Sequence, residues 1–557
     1  MEEKMGNLFT DALTKHDALT WNGAVSNSTS GNNVLDYFGK AGSYRGRKPE
    51  DISQSMANIF AEDPVLASKA VFYNRMITRK TKGFFESEVV QRGQGQVDEF
   101  VKSMAWLEVN NPDLLYHNLW LVPVVGAWND LWYDGPGSGF YHYVKPEVVY
   151  QLIKYGLADE YNRALIAKYL PKIRSRKATK NDRHRRKNAW ARGLCRYLGW
   201  SEKDYRNFKS NKEHAAHAWQ RIACEGRWSE LDFNTIPGKA LFKLVSGKGK
   251  DGRTLIERHN LENKFLEWIK SQGVAKFTGY PYELFKKAKC RERSLIEKYT
   301  YDAQFEGLIQ LAKKNVDPEV LKRGVFCALD TSGSMGYLGH YGYSSGDTLQ
   351  PIDVCVGLGI YFSSLLEGSF KDHVIMFSDR SQILKLKGSF CEKVDQVPDN
   401  AMGSTNFQSV IDEICRVRRD NPEIPVEDYP EILLVVSDMQ FNPVAKPSDW
   451  YGYNGGDIER DTKTNYEEAM RKLREVGLPD MTIIWWNVNG AHSTDFPSTI
   501  DDPGTVLISG MDGAIVTSIL GGQEEVVDEQ TGEKRKLNPY EQMVKALDQE
   551  VLNQIKV

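Results

Sequence analysis

Two patterns of apolar and polar positions divide this chain. From about residue 51 to 315 the apolar positions recur at helical spacing: Val97, Phe100, Val101, Met104 and Leu107 fall on one helix face. Similar stripes run through 113–125, 146–170, 188–198 and 255–270, parted by short polar or Gly/Pro breaks. Successive helices of this length predict an α-helical repeat of the solenoid kind, although no strict sequence period runs through them. After residue 321 short β-branched runs alternate with amphipathic stretches. The runs are GVFCALD (324–330), HVIMFSD (373–379), EILLVVSD (431–438), MTIIWWNV (481–488) and TVLIS (505–509), with helices expected near 351–366, 407–419, 464–476 and 511–520. Near-continuous apolar strands separated by helices predict an α/β doubly wound domain whose parallel sheet is buried on both faces. Ahead of both lies a lead segment, 1–50, rich in Gly, Ser and Asn. It is expected to hold little regular structure and to be anchored by Trp21, Leu35 and Phe38. The domains are therefore drawn as 1–50, 51–320 and 321–557, the last ending in a helix that runs to about 555.

Charge sharpens this division. The chain has 557 residues and a formal net charge of −3. Residues 1–329 carry 53 Lys+Arg against 38 Asp+Glu, whereas 330–557 carry 19 against 37. A basic half and an acidic half imply different partners, the basic one an anionic polymer. Its densest part is 163–212, with 17 Lys+Arg against three acids. Lys172, Arg174, Arg176, Lys177, Lys180, Arg183, Arg185, Arg186, Lys187 and Arg192 are the candidate RNA-binding residues, because clustered cations neutralise phosphates and release counterions with little sequence choice. The same run also reads as a merely solvated face. Trp190, Tyr197, Trp200 and Tyr205 follow it at spacings that favour core over base-stacking platforms. A second run, with Arg75, Arg79, Lys80 and Lys82, either extends the surface or ends a helix. His214 and His217 have metal-compatible spacing but no evident third ligand.

Candidate chemistry in the acidic half sits at strand ends, where open parallel sheets gather their ligands. The first strand runs into Asp330-Thr331-Ser332-Gly333-Ser334, a later loop holds Gly403-Ser404-Thr405-Asn406, and EILLVVSD ends at Asp438. Two carboxylates and three hydroxyls form a hard oxygen donor set suited to Mg²⁺ or another divalent cation, and neutral hydroxyls leave the ion positive charge for an outside acidic ligand. The competing reading is that Asp330 and Asp438 only cap the following helices. Two-metal hydrolysis needs more convergent carboxylates than this, and no general base accompanies them. A non-enzymatic role is therefore expected. Residues 337–350, beside this motif, read as a plain insertion or as a ligand-facing rim.

D-x-S-x-S after an apolar strand, a distal Thr and a strand-end Asp resemble the metal-ion-dependent adhesion site of von Willebrand factor A domains. That resemblance implies Asp330, Ser332, Ser334, Thr405 and Asp438 as ligands. A helical-repeat domain followed by such a domain resembles the TROVE proteins, the Ro autoantigen and its bacterial and viral relatives. TWNGAVSNSTSGNNVLDYFGKAGSYRG, RGQGQVDEF, VPVVGAWNDLW, KYLPKIRS and SEKDYRNF further resemble an uncharacterised TROVE-related group. The resemblance implies a ribonucleoprotein component that binds small noncoding or misfolded RNA through a ring of helical repeats. The ring's basic positions have no one-to-one counterparts here, so the 163–212 cluster stands in their place. The alternative is a scaffold that uses the metal site to capture an acidic residue of a partner protein.

The remaining composition narrows the setting. Hydrophobic residues make up 41% of the chain, enough for large cores, and mean hydropathy is −0.50. No apolar run approaches the roughly 20 residues of a membrane helix. The seven cysteines are dispersed, with no CxxC pair, which argues against a disulfide framework or a zinc site. With no apolar leader in MEEKMGNLFTDALTKHD, a cytoplasmic monomer without membrane contact is expected.

Overall fold

The computed structural model describes residues 16–43, 48–82, 88–135, 139–140, 143–175, 181–216, 218–277, 279–289, 293–314, 316, 318–338, 349–399, 403–444, 463–489, 495–511, 525–527 and 534–557. The chain divides into two compact units. One comprises residues 1–44 with 273–546, the other 45–272 with 547–557.

The first unit is an α/β unit built on a six-stranded sheet. Its strands are β1 (Val325–Asp330), β2 (His373–Phe377), β3 (Ser381–Lys385), β4 (Ile432–Ser437), β5 (Thr482–Asn487) and β6 (Thr505–Ser509). The spatial order is β6-β5-β4-β1-β2-β3. Every neighbouring pair is parallel except β2 and β3. All residues of β1, β4, β5 and β6 are buried, as a sheet covered on both faces requires.

Helices Pro351–Leu365, Gln408–Asp420 and Asn465–Glu475 make the crossovers. The second buries Val410, Ile411, Ile414 and Cys415 along one face. The third starts on a capping box in which Thr464 and Glu467 satisfy each other's backbone N–H groups. Several described elements of this unit have no counterpart in the sequence expectation. β3 is an antiparallel edge strand with no fully buried residue, and Phe390–Gln396 is a short helix. The stretch 512–520, expected to be helical, lies outside the described residues, as do 339–348 of the segment beside the metal motif.

The lead segment differs from expectation. Its described part holds a small hairpin, Ala18–Leu19 with Val25–Ser26, and a helix, Asn33–Ala41. Leu35 and Phe38 are buried on that helix. The Gly42 N–H donates to Ser509 Oγ at 2.9 Å, and Asn27 exchanges backbone hydrogen bonds with Phe496. Trp21 is not an anchor, since its side chain is 89% exposed. Residues 273–320, assigned from periodicity to the helical half, group with the sheet, and the final helix ends at Leu547.

The second unit is helical and, among its described residues, also holds two small antiparallel β pairings, Arg79–Lys82 with Glu88–Gln91 and Asp134–Gly135 with Gly139–Phe140; a further one, Glu525–Val527 with Lys534–Lys536, belongs to the first unit. The stripe at 97–107 forms the helix Asp98–Asn110, burying Phe100, Val101, Met104 and Leu107. The 146–170 stripe is two helices, Pro146–Gly156 and Glu160–Tyr169, the second capped by the Asp159 carboxylate. The 188–198 stripe is the C-terminal part of a longer helix, Asp182–Leu198. Among the described residues no helix is long and apolar enough to cross a membrane.

Candidate functional site

The loops after β1 and β4, with the loop that leads into the helix Gln408–Asp420, shape the candidate cation site. β1 delivers Asp330 at full burial. Its Oδ1 accepts the Ser332 N–H at 2.9 Å, which turns the chain so that the Ser332 and Ser334 hydroxyls lie 3.2 Å apart. Its Oδ2 accepts from the Ser437 hydroxyl at 2.5 Å. Both carboxylate oxygens are thus held by uncharged donors. β4 delivers Asp438, also fully buried, and the chain leaves it through Met439 at φ 64°. A left-handed conformation in a bulky residue costs about 1–2 kcal/mol, so this bend persists because its surroundings impose it. Met439 is 3% exposed and its N–H bonds to Ser437 Oγ at 3.0 Å.

The Thr405 loop is tied to the first motif by the Gly333 N–H, which donates to the Gly403 carbonyl at 3.0 Å. Asn442 grips Thr405 on both sides: the Thr405 N–H donates to Asn442 Oδ1 at 3.1 Å, and the Asn442 N–H to the Thr405 carbonyl at 2.8 Å. Asp379, after β2, accepts both the backbone N–H and the hydroxyl of Ser404. Asp330, Ser332, Thr405 and Asp438 are buried, while Ser334 is exposed and marks the open side.

The donor set fits a hard divalent cation on the chemistry present. Burial first, and the neighbouring Asp438 charge second, push the Asp330 carboxyl up to about 7. A buried carboxyl raised in this way favours either a proton or a nearby cation. Asp330, Ser332, Ser334, Thr405 and Asp438 are the residues that would hold such an ion, which would supply a positive charge able to accept an acidic group from outside. Sequence spacing missed Ser437, Asp379 and Asn442, because each reaches the site through hydrogen bonds across loops and none belongs to the motif.

The basic cluster lies on the helical unit. Asn181 caps the helix Asp182–Leu198 by accepting the His184 N–H, and Gly199 closes it at φ 69°. Asn188, Trp190, Ala191, Leu194 and Cys195 face inward, while Arg185, Arg186, Arg192 and Arg196 are exposed. Lys172 and Arg174 are exposed on the preceding segment, which the Asn188 amide clamps at both backbone groups of Arg174. Arg183 and Lys187 are half-buried.

Not every cation in the cluster is equally available. Arg192 pairs with Glu202 at 2.8 Å, and Arg185 lies 3.2 Å from Asp182. Arg176, Lys177 and Lys180 lie outside the described residues, as do the His217 backbone and the His214 side chain. Of the aromatics, Trp190 and Tyr205 are core. Trp190 packs on Trp132 and Tyr150, with ring centroids 5.0 and 5.3 Å apart, and the Tyr205 hydroxyl donates to the Pro171 carbonyl. Tyr197 is exposed and Trp200 half-buried.

The second basic run is described only in part, the Lys80 and Lys82 side chains lying outside the described residues, and Arg75 ends the helix Pro64–Arg75. Arg75 is buried and paired with Asp130 at 2.7 Å, and the Arg79 guanidinium donates to the Val124 and Gly126 carbonyls. These two arginines brace the interior of the helical unit and present no phosphate surface.

The chain thus joins an α/β unit, with aspartate, serine and threonine side chains near the carboxyl ends of a largely parallel sheet, to a helical unit in which cations outnumber acids. Comparison with known proteins adds two likenesses. The family described as "Domain of unknown function (DUF7788)" matches residues 326–552, a span that includes all five candidate cation ligands. An uncharacterized protein of Acanthamoeba polyphaga mimivirus is 23% identical over 370 residues, 64% of this chain and 57% of that relative. This chain therefore spans little more than half the length of the curated relative it matches.

Proposed function

We propose that the protein is a non-enzymatic RNA-binding protein of the Ro type, with a HEAT-like helical domain that holds RNA and a von Willebrand A-like domain that seats Mg²⁺. The observation that carries this reading is the partition of charge between the two compact units. The helical unit has 40 Lys+Arg against 28 Asp+Glu, and the sheet unit 32 against 47. A polyanion is attracted by the first and repelled by the second. Exposed Lys172, Arg174, Arg185 and Arg186 supply the phosphate contacts, and small noncoding or misfolded RNA is the ligand that the TROVE resemblance implies.

The cation site serves a different ligand in this reading. Three of its five donors are neutral hydroxyls, so a bound ion keeps positive charge, and the exposed Ser334 edge supports approach by an acidic side chain from a partner. That edge also favours the second reading, a metal-dependent scaffold that binds no RNA. The two part in one experiment. Purified protein is titrated against a fluorescent structured RNA between 50 and 200 mM salt, after its 260/280 nm absorbance ratio is recorded. Affinity that falls steeply with salt supports the RNA-binding reading; absence of co-purifying RNA and of binding at 50 mM leaves the scaffold.

A further inference from the structure

The lead segment sends a side chain to the candidate cation site from more than 380 residues away in sequence. Its hairpin is fastened to the loop after β4 by three short polar contacts. The Thr20 hydroxyl donates to the Phe441 carbonyl, the Trp21 N–H to Gln440 Oε1 and the Asn22 amide to the Gln440 carbonyl, each at 2.6 Å. Thr20 Oγ1 also accepts the Ala24 N–H at 3.0 Å, and Gly23 reverses the chain at φ 89°. The Asn22 amide nitrogen lies 3.3 Å from Thr405 Oγ1. Leu19 and Trp21, on the same hairpin, are 63% and 89% exposed. Burial of its own large apolar side chains therefore does not hold this turn; the polar contacts to 440 and 441 do.

We infer that Asn22 is a positioning residue of the cation site, and that the lead segment is a working part of that site. The inference rests on the proposed role of Asp330, Ser332, Ser334, Thr405 and Asp438. A threonine hydroxyl has one proton and two lone pairs, and it rotates freely unless a partner fixes it. The Thr405 backbone is already gripped by Asn442, which leaves the hydroxyl rotor as the remaining freedom. An Asn22 N–H on one lone pair sets that rotor and leaves the second lone pair for the ion. Asn22 can do this because its own position is set independently of Thr405, through Gln440. Hydrogen bonds of this outer kind typically change metal affinity by about 10–100-fold.

The test uses the full chain with Mn²⁺ as the probe, bound ion being read by electron paramagnetic resonance and folding by melting in EDTA. Asn22→Ala is expected to weaken Mn²⁺ binding about tenfold or more, with only a small drop of the melt in EDTA, since the bond to the Gln440 carbonyl is lost while Thr20 and Trp21 still fasten the hairpin. Asn22→Ser, too short to reach Thr405, should behave the same way. In a Thr405→Ala background, Asn22→Ala should have no further effect on affinity, as coupling through one hydroxyl demands. Unchanged Mn²⁺ affinity in Asn22→Ala, or an equal loss in the Thr405→Ala background, overturns the positioning role while the cation site stands. Failure of the wild-type chain to bind Mn²⁺ overturns the cation site itself, and this inference with it.

Discussion

The two units place their charges in opposite ways. In the sheet unit the chemistry is withdrawn from water: Asp330 and Asp438 are fully buried, and their neighbours are hydroxyls and backbone N–H groups. In the helical unit the exposed members of the candidate RNA-binding cluster stand on one helix and its leading segment. Burial suits a compact ion, because a fixed and desolvated donor set spends little on reorganisation when the ion arrives. Exposure suits a polyanion, whose many phosphates are met by mobile cations that displace counterions. Charge density along a sequence is therefore the signal to look for in the second kind of site, and residue type and spacing in the first.

The largest effect is expected at Arg75, a cation buried in the unit whose candidate RNA-binding cations are mostly exposed. Arg75→Ala leaves Asp130 without its partner at 1% side-chain exposure, and removing one member of a buried pair costs about 3–5 kcal/mol. Chemical denaturation should show the helical unit's transition moving by that amount; a loss below about 1 kcal/mol would mean the pair behaves like a surface bridge.

Asp330→Asn tests the buried side. The wild-type chain should gain about 2.7 kcal/mol at a Mg²⁺ concentration of 100 Kd, and the variant should gain nothing while keeping RNA affinity. The same residue carries a pH signature. A carboxyl whose folded pKa is raised binds more protons folded than unfolded, so the metal-free protein loses stability as pH climbs from about 4 towards 7. Melts in EDTA across that range should show the decline, and Asp330→Asn should flatten it. A flat wild-type profile would mean that burial is relieved in solution.

The smallest effect belongs to the exposed side. Replacing Arg183, Arg185, Arg186 and Lys187 together by Ser should weaken RNA binding about tenfold to a hundredfold and lower the salt slope by up to about 0.7–0.9 per lost phosphate contact. An unchanged slope in anisotropy titrations would put the RNA elsewhere on the unit.

Much of the sheet was legible because β1, β4 and β5 are apolar on both faces, and a run such as ILLVVS has few other uses. β3 was not, since SQILK lies at an edge, with Gln382 and Ile383 exposed, and carries no alternation strong enough to mark a strand. The five candidate oxygen donors were picked out by type and order, whereas the contacts of Asn22 and Asp379 depend on loops that no local window contains. Arg75 misled for the same reason: its neighbours in sequence are basic, and the acid that neutralises it comes 55 residues later. Trp21 misled in reverse, because a lone tryptophan in a polar stretch reads as an anchor and here points into water.

The sheet unit is assembled from two stretches of chain separated by 45–272. During synthesis the helical residues emerge between them, so the helix Asn33–Ala41 must wait for β6, some 460 residues later, before Gly42 meets Ser509. Such long loop closures are slow, and the helical unit can gather most of its core meanwhile. An excised fragment beginning near residue 321 would leave the flank of β6 uncovered, inviting strand-to-strand aggregation; expression of the sheet unit alone calls for residues 16–43 to be joined back to it.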